Sequence, residues 1–481
     1  MREMAEVRGF RVFRYRGRRP MLFPTLAFAI FFVVVFIVNW ITRPLPVLWR
    51  VCMLGASLFF YGYWNWRFVF LLMGSILVNW FIAEQVQQAR DLVQPQLVKA
   101  WVRSAVVANL ALLGVFKYYN FFAVELSNLL SNIGIDGALS TLEVTLPIVI
   151  SFFPCRPRSY VIDVGRGHLR TMNLLDFGVY LSFFPQLVAG PIVRASEMSP
   201  QLLHRPDPRQ VESAEAFRLI FAGLFKKVVV SSYLADQIVD DVFADPSAHT
   251  GWEVLLGIYG YAIQIYADFS GYTDIAIGVA LLLGFRFPQN FNAPYSALSI
   301  GDFWRRWHMT LSNWLRDYLY IPLGGNRRGS LLTYRNLALT MLLGGLWHGS
   351  SWNFVIWGAI HGVALAVERF VSAAARQRGF KLDLPPELIP ILQWFATFHV
   401  VCLSWVFFRA ESFGAALDVL AQLGSLEGQS ELVTPLLVIT IALAIASQFV
   451  PGLFVRDLED RFVDLGWAVH GLALGIRLFL I

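Results

Sequence analysis

The chain has 481 residues, of which 57% are hydrophobic and 15% are charged, and its formal net charge is a modest +6 at pH 7. Soluble domains contain roughly 25% charged and 45–50% apolar residues. The composition therefore excludes an ordinary soluble enzyme and indicates an integral membrane protein. The three cysteines lie far apart in the sequence and show no metal-binding spacing, which argues against a disulfide framework and against a zinc site.

The chain begins with a basic segment, since seven of its first 20 residues are arginines. We predict that residues 1–20 are an N-terminal extension and that residues 21–481 form one membrane domain. The topology inferred below places the extension outside, whereas basic segments tend to stay in the cytoplasm. Translation that begins at Met21 would remove this conflict, and a translated extension is the alternative.

Apolar runs follow along the rest of the chain, and several are close to the roughly 20 residues that a helix needs to cross a bilayer. They lie near residues 22–41, 46–63, 66–83, 104–123, 146–154, 173–193, 216–235, 253–284, 336–348, 352–369, 390–408, 433–450 and 465–481. Others are too short to cross alone. We predict an all-α, polytopic membrane protein.

The distribution of basic residues predicts the orientation. Residues 124–145 and 236–252 contain acidic residues but neither lysine nor arginine, so both segments are predicted to be external. Residues 285–335 and 371–389 contain several basic residues, so both are predicted to be cytoplasmic. The apolar pieces between the last two segments must then enter the membrane and return as a hairpin.

The predicted hairpin turns near residues 347–352 and has His348 at its tip. A helix over residues 336–348 measures about 18 Å, against a hydrocarbon core of about 30 Å, so we expect His348 past mid-depth. An ionisable group there costs several kcal/mol unless it faces protein or water. A neutral imidazole is well suited to act as a general base near pH 7; the alternative is a structural histidine that bonds a neighbouring carbonyl. Nearby glycines allow close approach, and Trp347 and Trp352 are expected to wall a pocket.

Residues 302–325 are too charged to span the membrane but show helical periodicity. One interpretation is a single interfacial helix with an aromatic side and a basic side. In the other, His308 lies beside the aromatic stripe, the helix packs under the hairpin, and the arginines bind an anionic group such as a phosphate or a thioester carrier. The stripe contains Trp304, Trp307, Leu311, Trp314 and Tyr318, and the other face contains Arg305, Ser312 and Arg316.

Polar side chains also interrupt the long apolar run near residue 270. Asp268 and Asp274 are six residues apart and do not share a helix face, so we expect them to satisfy broken backbone or to form a polar wall. Ser270 lacks the GxSxG context of an acyl-serine enzyme. Lys226 and Lys227 are expected to snorkel from the end of another apolar run.

The segment NFNAPYSALSIGDFWRRWHMTLSNWLRDYLYIPLGGNRRG (290–329), followed by GGLWHG (344–349), resembles the membrane-bound O-acyltransferase superfamily. It is most similar to bacterial alginate O-acetyltransferases and related polysaccharide acetylation proteins. The likeness extends through LVAGPIVRASEM (187–198), GLFKKVVV (223–230) and YADFSGYTDIAIG (266–278), and it covers most of residues 21–481.

The resemblance implies a helical bundle with re-entrant helices and a central funnel, in which an intracellular acyl donor meets an extracytoplasmic acceptor. It places His348 at the near-invariant histidine of the superfamily and His308 at the second functional histidine. We predict that His348 is a general base and that His308 orients the acceptor or stabilises the oxyanion. We predict substrate contacts from Asp268, Trp304, Arg305, Ser312, Arg316, Trp347, Trp352 and Asn353.

The resemblance further implies an O-acetyltransferase of the bacterial inner membrane that acetylates an exported polysaccharide such as alginate. The donor is expected to be acetyl-CoA or another acetyl thioester on the cytoplasmic side, with no bound cofactor and no metal. Expected partners are a periplasmic acetyltransferase, the exopolysaccharide acceptor and membrane lipid, and nucleic acid is not expected. The alternatives are acetyl transfer to peptidoglycan, D-alanyl transfer to teichoic acid, and a non-enzymatic transporter with a relay through His348 and Asp268.

One segment departs from the superfamily pattern. Relatives tend to read SFFTFQ, two further residues and SYVIDVYRG, whereas residues 151–167 read SFFPCRPRSYVIDVGRG. Pro154 and Pro157 are expected to break a membrane helix. The patch at 154–158 arises either from real divergence or from an error in the sequence.

Overall fold

The computed structural model describes residues 21–135, 139–142, 154–187, 190–204, 206–378, 384–425 and 430–450. Regular secondary structure in these ranges is helical throughout, which confirms the all-α prediction. The chain divides into two compact units: Met1–Glu212 with Ala280–Arg286, and Ser213–Val279 with Phe287–Ile481. The predicted extension at 1–20 and the apolar run at 465–481 lie outside the described residues, as does most of the run at 146–154.

The first unit contains nine α-helices among its described residues. Its segment Ala280–Arg286 begins with the last three residues of the helix Gly251–Leu282, most of which belongs to the second unit. Thr25 caps the first helix by accepting a hydrogen bond from the backbone N–H of Phe28 at 3.2 Å. Pro46 and Pro95 occupy first helical positions, where a missing N–H is tolerated. The helices are α1 (Leu26–Thr42), α2 (Pro46–Gly62), α3 (Arg67–Asp91), α4 (Pro95–Leu113), α5 (Tyr119–Asn132), α6 (Cys155–Arg166), α7 (Leu174–Ser182), α8 (Phe184–Leu187) and α9 (Ala195–Leu203).

The second unit contains the quoted segments 290–329 and 344–349, and several of its helices are joined by π-helical turns. Its described helices are α10 (Ser213–Leu224), α11 (Ser232–Leu234), α12 (Asp240–Ala244), α13 (Gly251–Leu282), α14 (Ile300–Arg306), α15 (Met309–Leu315), α16 (Ser330–His348), α17 (Trp352–Arg378), α18 (Leu388–Arg409), α19 (Phe413–Gln422) and α20 (Pro435–Ser447). The core of this unit is aromatic: Tyr295, Phe303, Trp307, Trp357 and Trp405 are each at most 3% exposed.

Five helices in the described part of the chain are long and apolar enough to cross a membrane. They are Arg67–Asp91, Pro95–Asn132, Gly251–Leu282, Trp352–Gln377 and Leu388–Arg409. Shorter apolar helices, including α1, α2 and α20, accompany them. The protein is therefore a polytopic membrane protein, as its composition predicts.

The boundaries of two predicted segments need correction. The predicted external segment 124–145 is helical as far as Asn132, because a π-helical turn at Gly114–Tyr118 continues α4 into α5. The run at 253–284 is one unbroken helix, α13, so its carboxylates do not serve a broken backbone.

The two prolines of the departure segment do not break a helix. Pro154 is the N-cap of α6, and Pro157 lies in the first turn, where no intrahelical N–H bond is lost. Between them Arg156 is 1% exposed, and its guanidinium donates to the carbonyl oxygens of Leu181, at 3.2 Å, and of Gln186. The arginine therefore cross-links α6 to α7 and α8.

Candidate active site

The site is built around the predicted hairpin, which consists of α16 and α17. Helix α16 ends at His348, as predicted, but begins at Ser330, six residues before the expected start. At 1.5 Å per residue its 19 residues measure about 28 Å. A Cβ atom at Gly345 would overlap the carbonyl oxygen of Phe354, and one at Gly358 would overlap that of Met341. These glycines allow the two helices to pack backbone against backbone.

His348 lies at the end of α16 and is half-buried. Its imidazole makes edge-to-face contacts with three aromatic rings. The centroid distances are 5.0 Å to Trp347, 5.0 Å to Trp357 and 5.2 Å to Phe408. Aromatic π systems attract a cation nearby, so this surrounding suits an imidazole that takes up a proton during a reaction.

The predicted single helix over residues 302–325 is wrong. The chain forms two short helices, α14 and α15, followed by a π-helical turn at Arg316–Tyr320. His308 separates the two helices with a φ of 43°, in the left-handed region. The predicted aromatic stripe is nevertheless buried on both sides of the break, since Trp307, Leu311 and Trp314 are each at most 5% exposed.

Asn290 holds His308 at this break. The side-chain Oδ1 of Asn290 lies 3.0 Å from Nδ1 of His308, 3.2 Å from the backbone N of Thr310 and 2.8 Å from Oγ1 of Thr310. His308 is 1% exposed and lies outside the five candidate spans. Burial, and secondly the proximity of His348, lower the pKa of His308 well below the ordinary histidine value. The ring is therefore neutral at physiological pH.

Trp347 connects the two predicted catalytic histidines. Its ring centroid lies 5.0 Å from that of His348 and 6.4 Å from that of His308. The fold thus brings together two histidines that are 40 positions apart in the chain (348 − 308).

A third histidine, His361, was not among the predicted site residues. It is 0% exposed and packs edge-to-face on Trp357 at 4.9 Å. Its Nδ1 accepts a hydrogen bond from Nε1 of Trp304 at 3.3 Å, and its Nε2 lies 2.9 Å from Oγ of Ser404. The Ser404 hydroxyl donates to the carbonyl oxygen of Val401 at 2.7 Å, so it accepts from Nε2–H of His361. Trp304, one of the predicted substrate contacts, is thereby fixed in this network.

The predicted arginines lie on the surface of the second unit rather than beside the imidazoles. Arg305 lines a cavity of about 600 Å³ between α14 and the start of α18, together with Arg306, Asp302 and Trp394. Asp302 bonds Arg306 at 2.8 Å and lies 3.5 Å from Arg305. Arg316 is exposed and pairs with Asp317 at 2.7 Å.

The other predicted contact residues have structural surroundings of their own. The hydroxyl of Ser312 donates to the carbonyl oxygen of Trp307 across the helix break at 3.2 Å. Asn353 is 4% exposed and donates to the carbonyl oxygen of Ala410 at 2.8 Å, which ties the start of α17 to the end of α18. Trp352 is 54% exposed.

Asp268 and Asp274 form ion pairs with the two lysines of the π-helical turn after α10. Lys226 bonds Asp274 at 2.7 Å, and Lys227 bonds Asp268. The lysines therefore pair with α13 instead of snorkelling. The pairing depends on close helix contact, because a Cβ at Gly271 would overlap the carbonyl oxygen of Gly223.

Within the described residues, no group of three or more histidine, cysteine, aspartate or glutamate side chains is arranged to hold a metal ion.

Comparison with known proteins identifies the family. The model of the MBOAT, membrane-bound O-acyltransferase, family matches residues 63–409, which is more than half of the chain. The chain belongs to this family. The membrane-bound O-acyltransferase match includes α13, the histidine break, the hairpin and α18, so every element of the site described above lies inside it.

Relatives whose names give different acceptors match this chain over more than half of its length. It is 42% identical over 379 residues to a probable alginate O-acetylase of Azotobacter vinelandii, covering 78% of this chain and 72% of that protein. It is 41% identical over 413 residues to a peptidoglycan O-acetyltransferase of Helicobacter pylori, covering 80% and 75%. It is 27% identical over 312 residues to a teichoic acid D-alanyltransferase of Streptococcus thermophilus, covering 60% and 74%. This membrane-bound O-acyltransferase is thus an acyltransferase, as predicted.

Sequence reasoning missed four residues of the membrane-bound O-acyltransferase site: Asn290, Trp357, His361 and Phe408. Asn290 is the first residue of the segment 290–329 that carries the family resemblance, and its place in that segment was the available signal. Trp357 and His361 follow His348 at the spacing of one helix face, i and i+4 of α17, and this periodicity was the available signal for both. Phe408 comes from α18, and no local pattern singles it out.

Proposed function

We propose that this acyltransferase moves an acetyl group from a cytoplasmic thioester donor to a hydroxyl of an exported polysaccharide such as alginate, at the bacterial inner membrane. The observation that supports this proposal is the pairing of His308 and His348 around Trp347 at the tip of the hairpin. Two imidazoles that flank the same indole are suited to handle the proton of one nucleophile and the carbonyl of one acyl group.

The reaction is one acyl transfer. His348 takes the proton of the acceptor hydroxyl while its oxygen attacks the acetyl carbonyl carbon, and a new C–O ester bond forms. The C–S bond of the thioester then breaks, and the proton passes from His348 to the departing thiolate. The rings of Trp347, Trp357 and Phe408 stabilise the transient imidazolium of His348.

The donor is proposed to be acetyl-CoA or another acetyl thioester carrier. The cavity at Arg305 and Arg306 supports an anionic donor, because two guanidinium groups share the single carboxylate of Asp302 and guanidinium groups bind phosphate well. The cavity also offers an aromatic wall, Trp394, for an apolar or planar part of the donor.

The acceptor is proposed to be an exopolysaccharide, reached directly or through a periplasmic acetyltransferase partner. The name of the Azotobacter vinelandii relative supports alginate, whereas the name of the Helicobacter pylori relative supports peptidoglycan at nearly the same identity. Incubating membranes that contain this chain with labelled acetyl-CoA and either polymannuronate or peptidoglycan fragments separates the two. Label on peptidoglycan alone would contradict the alginate proposal.

The role of His348 is tested by His348→Ala. Positioned proton transfer contributes about 10² to 10⁴-fold to a rate, so we expect acetylation to fall by at least about 100-fold while membrane insertion and the unfolding temperature stay unchanged. His399→Ala is the matched control. His399 is a half-buried histidine like His348, but it lies on α18 and bonds Tyr259 at 2.7 Å. Normal acetyl transfer by His348→Ala would refute the assignment.

A further inference from the structure

The contacts of Asn290 determine which nitrogen of His308 carries the proton. A backbone N–H can only donate, so the Asn290 atom that lies 3.2 Å from the backbone N of Thr310 must be the amide oxygen. The same oxygen lies 3.0 Å from Nδ1 of His308. An acceptor oxygen cannot form a hydrogen bond with a ring nitrogen that lacks hydrogen. Nδ1 of His308 therefore carries a hydrogen, and in the neutral ring Nε2 carries the lone pair.

Backbone hydrogen bonds hold the two segments together in this arrangement. The backbone N–H of Met309 donates to the carbonyl oxygen of Asn290 at 2.9 Å, and that of Asn292 donates to the carbonyl oxygen of Arg306 at 2.9 Å. Phe269 contacts the His308 ring edge-to-face at 4.7 Å. Because Asn290 is also 1% exposed, water does not compete for its amide oxygen, and His308 has little freedom to turn.

We propose that Asn290 is a positioning residue that fixes His308 as the Nδ1–H tautomer, so that His308 accepts a hydrogen bond from a second hydroxyl of the acceptor, beside the one that His348 deprotonates, and does not donate one to the oxyanion. This inference rests on the proposed function, since it assigns a role within that reaction. It separates the two roles that the sequence left open for His308. The oxyanion must then be stabilised by another donor.

The proposal predicts a specific effect of Asn290→Asp on the pH profile. A carboxylate at this position still accepts from Thr310 and from Nδ1 of His308, so local geometry is kept. An opposite charge within about 4–6 Å favours the charged form of a group and shifts its pKa by about 1–3 units. His308 then binds a proton at Nε2 at higher pH and loses its accepting lone pair.

Several side chains of the described residues face His308. Phe269 belongs to α13, Phe291 and Asn290 to the segment before α14, and Trp347 and His348 to α16. Of these, His348 is the titratable one. Its own contribution is present in both the wild type and Asn290→Asp, so the difference between their profiles reports on His308.

The measurement is acetyl transfer from labelled acetyl-CoA to polymannuronate oligosaccharides by the full chain in membrane vesicles, between pH 5 and pH 9, an interval in which the lowered pKa of wild-type His308 keeps its ring neutral. We expect the kcat/KM of Asn290→Asp to fall toward the acid end of this interval, where the carboxylate raises the pKa of His308 and the wild-type ring stays neutral. If His308 were an oxyanion donor, its protonation would add a donor at Nε2, and activity at low pH would hold or rise. That result would overturn the proposal.

Thr310→Val is the matched control. It removes one hydrogen bond to the same Asn290 oxygen, at 2.8 Å, without changing the charge near His308, so we expect a profile with an unshifted acid limb. In Asn290→Ala the Nδ1–H bond is lost, and we expect kcat to fall while the KM for acetyl-CoA changes less than twofold, since the donor cavity is untouched. An unshifted Asn290→Asp profile beside an inactive His308→Ala would sink the inference and leave the proposed function standing.

The tautomer can also be measured without activity. Nitrogen-15 NMR of histidine-labelled protein, with His308→Gln to identify the His308 signals among the eight histidines, distinguishes protonated from bare ring nitrogens. We expect a protonated Nδ1 and a bare Nε2. The reverse pattern would refute the tautomer whatever substrate the enzyme uses.

Discussion

The histidine at the tip of the hairpin is surrounded by aromatic rings. His348 contacts Trp347, Trp357 and Phe408, and Trp357 in turn contacts His361. The position of Trp357 beside His348 therefore depends on a second imidazole, that of His361. This arrangement gives His361 a supporting role: it holds Trp357 and Trp304 in place through packing and one hydrogen bond.

The hydroxyl of Ser404 anchors this support, and we predict that Ser404→Ala weakens it. The change leaves the buried Nε2–H of His361 without its acceptor, which costs about 1–3 kcal/mol in stability. We expect a lower unfolding temperature in detergent and a kcat reduced several-fold, with the KM for the acetyl donor nearly unchanged. Thermal unfolding followed by fluorescence and initial-rate kinetics measure the two effects.

Ser447→Ala provides the comparison for Ser404→Ala. Ser447 also bonds the carbonyl three residues earlier in its helix, at 2.7 Å to Ala444, but it is exposed. We expect it to behave like the wild type. A Ser404→Ala protein as stable as Ser447→Ala would contradict the role given to the serine–histidine bond.

At the scale of elements, the hairpin depends on glycine at particular positions. Gly345 of α16 faces the backbone of Phe354 in α17 with no room for a Cβ atom, whereas a Cβ at the adjacent Gly344 would lie 3.5 Å from a methyl group of Leu315, an ordinary contact. The two neighbouring glycines therefore differ in what they tolerate. Only a three-dimensional arrangement of the two helices distinguishes them.

We predict that Gly345→Ala pushes the two helices of the hairpin apart and moves His348. Overpacking of this kind costs about 1–3 kcal/mol, and a displacement of about 1 Å at a catalytic group can cost about 100-fold in rate. Gly344→Ala should keep most of its activity. Acetyl transfer and unfolding temperature of the two variants decide the matter, and equal losses in both would show that the close backbone contact is not the cause.

The break between α14 and α15 is the other decisive feature at this scale. Its sequence continues a helical stripe, yet His308 adopts a left-handed conformation that an isolated chain disfavours. The hydrogen bonds that the amide oxygen of Asn290 accepts from His308 and Thr310 compensate for that cost. Helical periodicity therefore predicted the correct buried face and the wrong continuity.

At the scale of the whole molecule, the apolar surface identifies the membrane as the surroundings of this protein. Large side chains along α1 are strongly exposed, including Leu26 at 77%, Ile41 at 70% and Ile30 at 60%. Water would disfavour such a surface, whereas lipid tails accommodate it. Exposed apolar side chains of this kind suit contact with lipid.

The charge distribution predicts which loops face the cytoplasm, and cysteine labelling tests it. We expect Ala248→Cys, in the acidic segment 236–252, to react with an impermeant maleimide on intact spheroplasts. Asn326→Cys, beside Arg327 and Arg328, should react only after permeabilisation. Both positions are exposed, so a difference in labelling reports on sidedness.

The labelling uses a chain whose three native cysteines are replaced, so that only the introduced cysteine reacts. Cys52 is half-buried and the other two cysteines are buried. Reversed labelling of the two positions would invert the predicted topology. It would also place the proposed thioester donor on the wrong side of the membrane.

The sequence by itself determined the helical class, the membrane environment, the hairpin that ends at His348, and the family with its two histidines. These follow from composition, from apolar run lengths and from contiguous motifs, all of which are local properties of the chain. Prolines 154 and 157 show the limit of local rules, because their effect depended on where the helix begins.

The tertiary structure alone decided the break at His308, the tautomer held by Asn290, and the support of Trp357 by His361 and Ser404. The Asn290–His308 bond joins residues 18 positions apart and the His361–Ser404 bond joins residues 43 apart. Hydrogen bonds depend on direction and on distances near 3 Å, and packing depends on which faces meet. Neither can be read from the spacing of residues along one segment, because both are set only when distant segments come together.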